Sequence, residues 1–480
     1  MTGDNSSSAA WCIRNKLVPA DRIRVRSEAA EGPSNGLIAR SIRHVQCLPG
    51  PRAGRAVLAP LLATLLTMAW GEEGLSARRT SPSTSFDTPR MLALAAMLAA
   101  APLVIALYAY AGYPLILWIV ASVRPRGSSA RDTARWPSVT ITVPVYNAQS
   151  SIGATLESLL ELDYPRDRLQ ILVISDASTD RTDGMVRRFA DRGVELLRLP
   201  ERRGKTAAEN AALAASRGEI LVNVDSTILV PAQSLKKLVR VFDDPTIGVA
   251  SGRDVSVGAA DNQGTLAESG YVGYEMWVRD LETRVGSIVG ASGCFYGSRR
   301  YVHGRPLPPG LSWDFAAALV ARKQGYRSVS VPAAVCMVPR SAQIRTELRR
   351  KVRTMARGLS TLFYHRELMN PLRYGGFALM LISHKLLRWL PYLLAPIAYG
   401  ALCLLAVESV SARVLLGVLS GVLLAGIVGI QHHNSAPAKP VALAGFVVAV
   451  FSAGFLAWWE ALRQTQMAMW EPTPRPEVKT

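Results

Sequence analysis

Three polar positions stand where apolar runs stop. Ser138-Val-Thr-Ile-Thr-Val-Pro144-Val ends at Tyr146-Asn147, Leu169-Gln-Ile-Leu-Val-Ile-Ser ends at Asp176, and Glu219-Ile-Leu-Val-Asn-Val ends at Asp225. A carboxylate accepts hydrogen bonds and donates none, so it suits imide N–H groups and sugar hydroxyls. Carboxylate oxygens are also hard ligands for Mg²⁺ or Mn²⁺, which take one or two of them plus phosphate oxygens. The set Asn147, Asp176 and Asp225 therefore suits a nucleotide with its metal. Short polar residues after a strand also start helices, and that is the role expected of Asp180 in Ser175-Asp-Ala-Ser-Thr-Asp180.

The elements that must hold these residues follow from the runs themselves. Strands rich in Val and Ile, separated by helix-length spacers, predict a parallel sheet covered on both faces. In such sheets ligands bind at the carboxyl ends of the strands. The expected class is α/β, with a mixed but mainly parallel Rossmann-like sheet over residues 136–345.

The 480 residues allow several domains, and a 49% hydrophobic content indicates membrane segments. A formal charge of +19 raises nucleic acid as a partner, but the Arg and Lys crowd beside apolar spans. Cytosolic flanks facing anionic lipid account for them better, so no nucleic acid is expected. Five cysteines without metal-type spacing argue against a disulfide framework and read as free thiols.

Residues 1–90 differ in composition, being rich in Arg, Ser, Gly and Pro. Their one apolar run, 57–70, is short for a span and resembles a signal-peptide core. Translation is expected to begin at or near Met91, leaving 1–90 as a disordered or spurious extension. A transmembrane helix is expected over 91–122, followed at once by Arg124, Arg126, Arg131 and Arg135, which puts the domain after it in the cytosol. Basic and amphipathic interfacial helices are expected over 346–389, because a span would have to carry His384, Lys385 and Arg388. Candidate spans at 391–407, 414–430 and 441–459 make 390–460 a transmembrane region, with 461–480 as a tail. The number of complete crossings stays open.

The motifs in 138–360 resemble those of the membrane-anchored family 2 glycosyltransferases, the cellulose-synthase-like and hyaluronan-synthase-like enzymes with a GT-A catalytic domain. The resemblance covers residues 95–475. It implies that Val143-Pro144-Val145-Tyr146-Asn147 borders the base of a nucleotide diphosphate, although Ala148 replaces a usual Glu. It implies that Asp176 meets uracil or ribose, and that Lys205, in Arg203-Gly-Lys-Thr, sits near the diphosphate. Asn223-Val-Asp225-Ser-Thr227 occupies the place of the Asp-x-Asp metal motif, with Thr227 for the second aspartate, and implies Mg²⁺ or Mn²⁺ at Asp225 and Thr227.

On the acceptor side, Gly290-Ala-Ser-Gly293 resembles a segment where missing side chains leave room for a sugar ring. Leu311-Ser-Trp313-Asp314-Phe matches the acidic motif whose second residue is the catalytic base. That implies Asp314 as base, with Trp313 beside the acceptor. Arg349-Arg-Lys-Val-Arg353-Thr-Met355-Ala-Arg357 stands where processive members carry Gln-x-x-Arg-Trp, so Arg353 and Arg357 are candidate diphosphate ligands. The stacking Trp is missing.

The expected function is an inverting transferase at a bacterial-type plasma membrane. It would take a nucleotide-diphosphate sugar, a UDP-sugar by resemblance, and a saccharide or lipid-linked acceptor. Single addition to a polyprenyl or glycerolipid acceptor is a rival within the enzyme class. A catalytically inactive membrane scaffold or nucleotide-binding component is the rival outside it. Ala148, Thr227, Trp313 and Met355 favour the scaffold, while Asp176, Asp225 and Asp314 oppose it. A transporter is disfavoured because no candidate span shows a paired charge.

Overall fold

The computed structural model describes residues 88–124, 136–257, 263–339, 344–432, 438–463 and 469. The run 57–70, the flanking Arg126, Arg131 and Arg135, and the tail beyond Arg463 (Met469 apart) lie outside the described residues.

Seven strands form one sheet: β1 Val139–Val145, β2 Leu169–Ser175, β3 Val194–Arg198, β4 Ile220–Val224, β5 Ile247–Val257, β6 Phe295–Arg299 and β7 Arg327–Pro339. Their order is β3-β2-β1-β4-β6-β5-β7. The first four pair in parallel, β6 runs antiparallel between β4 and β5, and β7 pairs in parallel with β5. The mixed, mainly parallel sheet agrees with the expectation. Every residue of β1 and of β4 is buried, as central strands covered on both faces require. The Ile152–Leu160 helix closes one face with Ile152, Leu156 and Leu159, and burying each such side chain contributes about 1.5–3 kcal/mol.

The strand order decides where a site can lie. The chain moves from β1 outward to β2 and β3, then returns to place β4 on the other side of β1. That reversal opens a crevice at the carboxyl ends of β1 and β4. Antiparallel β6 adds to it, because Phe295 at its start pairs with Val224 at the end of β4. The segment before β6 is thereby brought to the same edge of the sheet.

Four described helices are long and apolar enough to cross a membrane: Pro89–Val123, Gly376–Glu408, Val410–Gln431 and Lys439–Leu462. In the stretch expected to hold interfacial helices, 346–389, the apolar part from Gly376 runs without a break into the next segment through a π-turn at Ile382–Leu386. The charges that argued for an interface are paired instead. His384 Nδ1 lies 2.6 Å from Glu282 Oε1 and its Nε2 lies 3.0 Å from Glu275 Oε1. Arg388 donates to Glu275 Oε2 at 2.7 Å, and the Tyr113 hydroxyl donates to Glu282 at 2.6 Å. Glu275 and Glu282 lie on the Gln263–Val285 helix. Burial opposes ionisation of Glu275, but His384 and Lys385 outweigh it and hold its pKa well below the usual range.

Candidate functional site

At the end of β1 the backbone of Asn147 turns left-handed, with φ 48°. Its side chain faces the loop after β2. Oδ1 accepts from Thr179 N at 2.8 Å, and Nδ2 donates to Thr179 Oγ1 at 3.1 Å. Asp180 accepts from Thr182 N at 2.9 Å at the start of the next helix, the role expected of it. Pro144 is buried within β1. Tyr146 is half-buried, and the Arg202 guanidinium lies 3.8 Å from its ring centre.

Asp176 is wholly buried, at 0% exposure. Its Oδ1 accepts from Arg203 N at 2.7 Å and its Oδ2 from Gly204 N at 2.8 Å. Each oxygen already serves a main-chain amide, so in this arrangement Asp176 shapes the 203–204 loop and presents nothing to solvent. Gly204 is the left-handed residue there, with φ 92°, a conformation that costs glycine little. It starts the Lys205–Ala215 helix, whose first residue is thereby aimed across the crevice. Lys205 Nζ donates to Asp225 Oδ1 at 2.6 Å and stands 3.9 Å from Glu209 Oε1. Burial works against its charge, yet Asp225 and Glu209 prevail and raise its pKa.

Asp225 follows β4, and its backbone N–H donates to the Cys294 carbonyl at 3.1 Å. Thr227 sits in the turn closed by Ile228 N on Asp225 O. The Asp225 side chain is 27% exposed, enough to meet a ligand. One open carboxylate at the mouth of the crevice fits a divalent cation shared with phosphate oxygens. It does not make a protein cage, and no group of three or more His, Cys, Asp or Glu that could hold a metal occurs among the described residues.

Asp314 lies in the first turn of the Trp313–Lys323 helix, where the negative charge suits the helix dipole. Ser312 Oγ donates to its Oδ1. A Cβ built on Gly293 would stand 2.9 Å from its Oδ2, so the glycine-rich segment abuts the acid directly. Gly293→Ala should therefore push Asp314 aside without unfolding the sheet. Misplacement of a reacting group by about 1 Å costs on the order of 10²-fold, so turnover should fall by that much with the melting temperature preserved. Unchanged turnover would show that the acid does not need its present position.

Two more of the expected site residues are buried. Trp313 was expected beside an acceptor but is 1% exposed, packed with Leu221, Leu307 and Ala316 against the His303 ring. Asp314, the next residue along the helix, is half-buried. Arg357 is also buried, donating to Thr206 Oγ1 at 2.8 Å and to the Leu311 carbonyl at 2.6 Å. It ties the Ile344–Tyr364 helix to the loop that precedes the Trp313–Lys323 helix; Arg353, on the same helix as Arg357, is partly exposed.

Glu209 went unnoticed in the sequence. It reads there as one more polar residue of an Ala-rich helix, four positions after Lys205, and that spacing was the available signal. In the fold it is 3% exposed. Burial pushes its pKa up to about 7, against the pull of Lys205 and Arg357. The Asp314 and Asp225 charges act on it in the same upward direction.

A sequence profile described as Glycosyl transferase family 2 matches residues 140–303. An N-acetylglucosaminyltransferase of Rhizobium sp. (strain N33) is 27% identical over 190 residues, 38% of this chain and 41% of that protein. A beta-monoglucosyldiacylglycerol synthase of Synechocystis sp. (strain ATCC 27184 / PCC 6803 / Kazusa) is 27% identical over 161 residues, 33% of this chain and 34% of that protein. The chain spans about half the length or less of these curated relatives. Among solved structures, the mannosyltransferase PcManGT from Pyrobaculum calidifontis, in complex with GDP-Man and Mn²⁺, superposes with a TM-score of 0.60. It is 25% identical, over 78% of this chain and 99% of that one.

Proposed function

We propose that this chain, whose residues 140–303 form a family 2 glycosyltransferase domain, is a membrane-anchored inverting transferase. It moves a sugar from a nucleotide-diphosphate sugar to a saccharide or lipid-linked acceptor at the membrane surface. The observation that carries this reading is the pairing of Lys205 with Asp225 after β4 at 2.6 Å, beside the segment 293–294, where Cys294 O accepts from Asp225 N and Gly293 abuts Asp314 on the Trp313–Lys323 helix. Asp225 suits the departing diphosphate and Asp314 an incoming hydroxyl.

The nucleotide lies over the ends of β1 and β2, against Tyr146 and Asn147, with Pro144 in the strand beneath and the loop held by Asp176. Asp225, with Thr227, holds Mg²⁺ or Mn²⁺, which when bound supplies positive charge to the diphosphate. Lys205 adds a point charge, and Arg353 and Arg357 add cationic character on the same side. Asp314 takes the proton from the acceptor hydroxyl. That oxygen bonds to the anomeric carbon as the bond to the diphosphate breaks on the opposite face, which inverts the centre. Gly293 leaves room for the acceptor ring. Positioning and electrostatics carry the catalysis.

The similarity to a mannosyltransferase holding GDP-Man and Mn²⁺ supports the donor class and the cation. The glycolipid synthase among the relatives favours a second reading, single addition to a lipid acceptor, and Met355 in place of a stacking Trp agrees with it. The four apolar helices support integral membrane placement, and Arg124 supports a cytosolic catalytic domain.

The test is purified full-length protein in lipid, screened against UDP-, GDP- and TDP-sugars for nucleotide release with and without Mn²⁺. Release with one donor class, lost on chelation and reduced about 10²-fold or more in Asp225→Asn, is expected. No release and no nucleotide binding with any donor would sink the enzyme reading.

A further inference from the structure

Lys205 has two carboxylates within reach and satisfies one. Its ammonium donates to Asp225 Oδ1 at 2.6 Å, while Glu209 Oε1, one helical turn along, stands 3.9 Å away. The other oxygen of Glu209 is buried and has no hydrogen-bond partner among the described residues. A buried carboxylate with an empty oxygen is costly and calls for an explanation. Arg357 acts on it from the Ile344–Tyr364 helix, but its Nη2 donates to Thr206 and Leu311, and its buried Nε makes no hydrogen bond to Glu209. Asp314, Asp225 and the Tyr296 phenol on β6 complete its charged surroundings, and none of these supplies a positive charge.

We propose that Glu209 is a positioning residue that receives Lys205 when a divalent cation and diphosphate engage Asp225. The inference rests on the donor-side reading given above. A cation on Asp225 and an ammonium hydrogen-bonded to the same carboxylate repel one another, and Thr227 provides no second acid to share them. Lys205 must then turn. The i, i+4 spacing places Glu209 on the same helix face, where a short rotation of the lysine side chain closes the gap. In the resting arrangement Lys205 neutralises Asp225. In the loaded arrangement it neutralises Glu209 and leaves Asp225 to the cation. The high pKa of Glu209 agrees with a carboxylate whose charge is incompletely compensated at rest.

The experiment titrates Mn²⁺ into full-length protein in lipid nanodiscs, saturated with UDP or with GDP, and reads bound metal by electron paramagnetic resonance. Glu209→Gln should weaken Mn²⁺ binding about tenfold, the worth of a hydrogen bond between charged groups. Lys205→Met removes the competitor, so Lys205→Met with Glu209→Gln should bind Mn²⁺ as Lys205→Met alone does. That equality also shows that the loss in Glu209→Gln is not a collapse of the fold. An affinity in Glu209→Gln within about twofold of the parent overturns the inference, as does a double variant weaker than Lys205→Met by the full tenfold. If Asp225→Asn leaves Mn²⁺ affinity intact, the cation does not sit at Asp225 and the donor-side reading fails as well. Dependence on Asp225 without dependence on Glu209 overturns the present inference alone.

Discussion

Asp314→Asn should lower sugar transfer about 10²–10⁴-fold, the span that a positioned general base contributes. Asparagine has the size of aspartate and can still accept from Ser312 Oγ, so the first turn of the Trp313–Lys323 helix keeps its shape. What it cannot do is take a proton from the acceptor. The packing beneath it, Trp313 on His303 and Phe315 with Leu319, Leu362 and Phe377, is untouched. Donor binding, measured separately by nucleotide titration, should therefore stay within a few-fold of the parent while the transfer rate collapses. A variant that turns over at the parental rate would remove Asp314 from the base role even if the transferase reading stood. The acid would then be a helix-end charge, and the base would have to be sought elsewhere in the crevice.

The second large effect is expected at Glu275, far from the chemistry in sequence and close to it in space. Glu275→Gln leaves His384, Lys385, Arg388 and Arg279 facing Glu282 alone, in a cluster that is almost wholly shielded from water. Breaking a buried pair by removing one partner costs about 3–5 kcal/mol, because the surviving charge is left uncompensated. Thermal melts of the full chain in detergent should show a large drop in midpoint. A shift near zero would mean that water reaches the cluster and screens it. Activity should fall too, since Lys385 extends from this cluster over the Phe315 ring, at 5.6 Å, and beside Gly290. Phe315 follows Asp314, and Gly290 opens the segment that abuts it. The charged knot thus fixes the catalytic side of the domain to an apolar helix, and loosening it should be felt at Asp314.

Much of this was legible in the chain. The Val and Ile runs marked β1, β2 and β4 because alternation and run length are local properties, and the polar residues closing each run marked the edge of the sheet where ligands bind. The apolar helices were equally plain, since length and composition alone make a span. The pairing of His384 and Arg388 was not legible, for a physical reason. A charge count along one helix cannot show that Glu275 and Glu282 wait on another to neutralise it.

The roles of single residues divide along the same line. Asp225 and Asp314 could be picked out by their neighbours in sequence, and the fold sets the first on Lys205 and the second against Gly293. Trp313 could not be placed that way. Packing with Leu221, Leu307 and Ala316 commits its indole to the core. Asp176 was recognised as a strand-end acid, but the fold occupies both its oxygens with the amides of Arg203 and Gly204. Arg357 meets Thr206 across 151 residues, and no motif predicts such a contact. Glu209 became visible once burial had stripped it of water and left one oxygen without a partner among the described residues. The sequence by itself determined the strands, the apolar helices and the identity of the acids, because these follow from patterns a few residues long. Tertiary structure alone decided which acids face the crevice, which are consumed in holding it, and which cation each one shares. Those choices depend on side chains that packing brings together from distant parts of the chain.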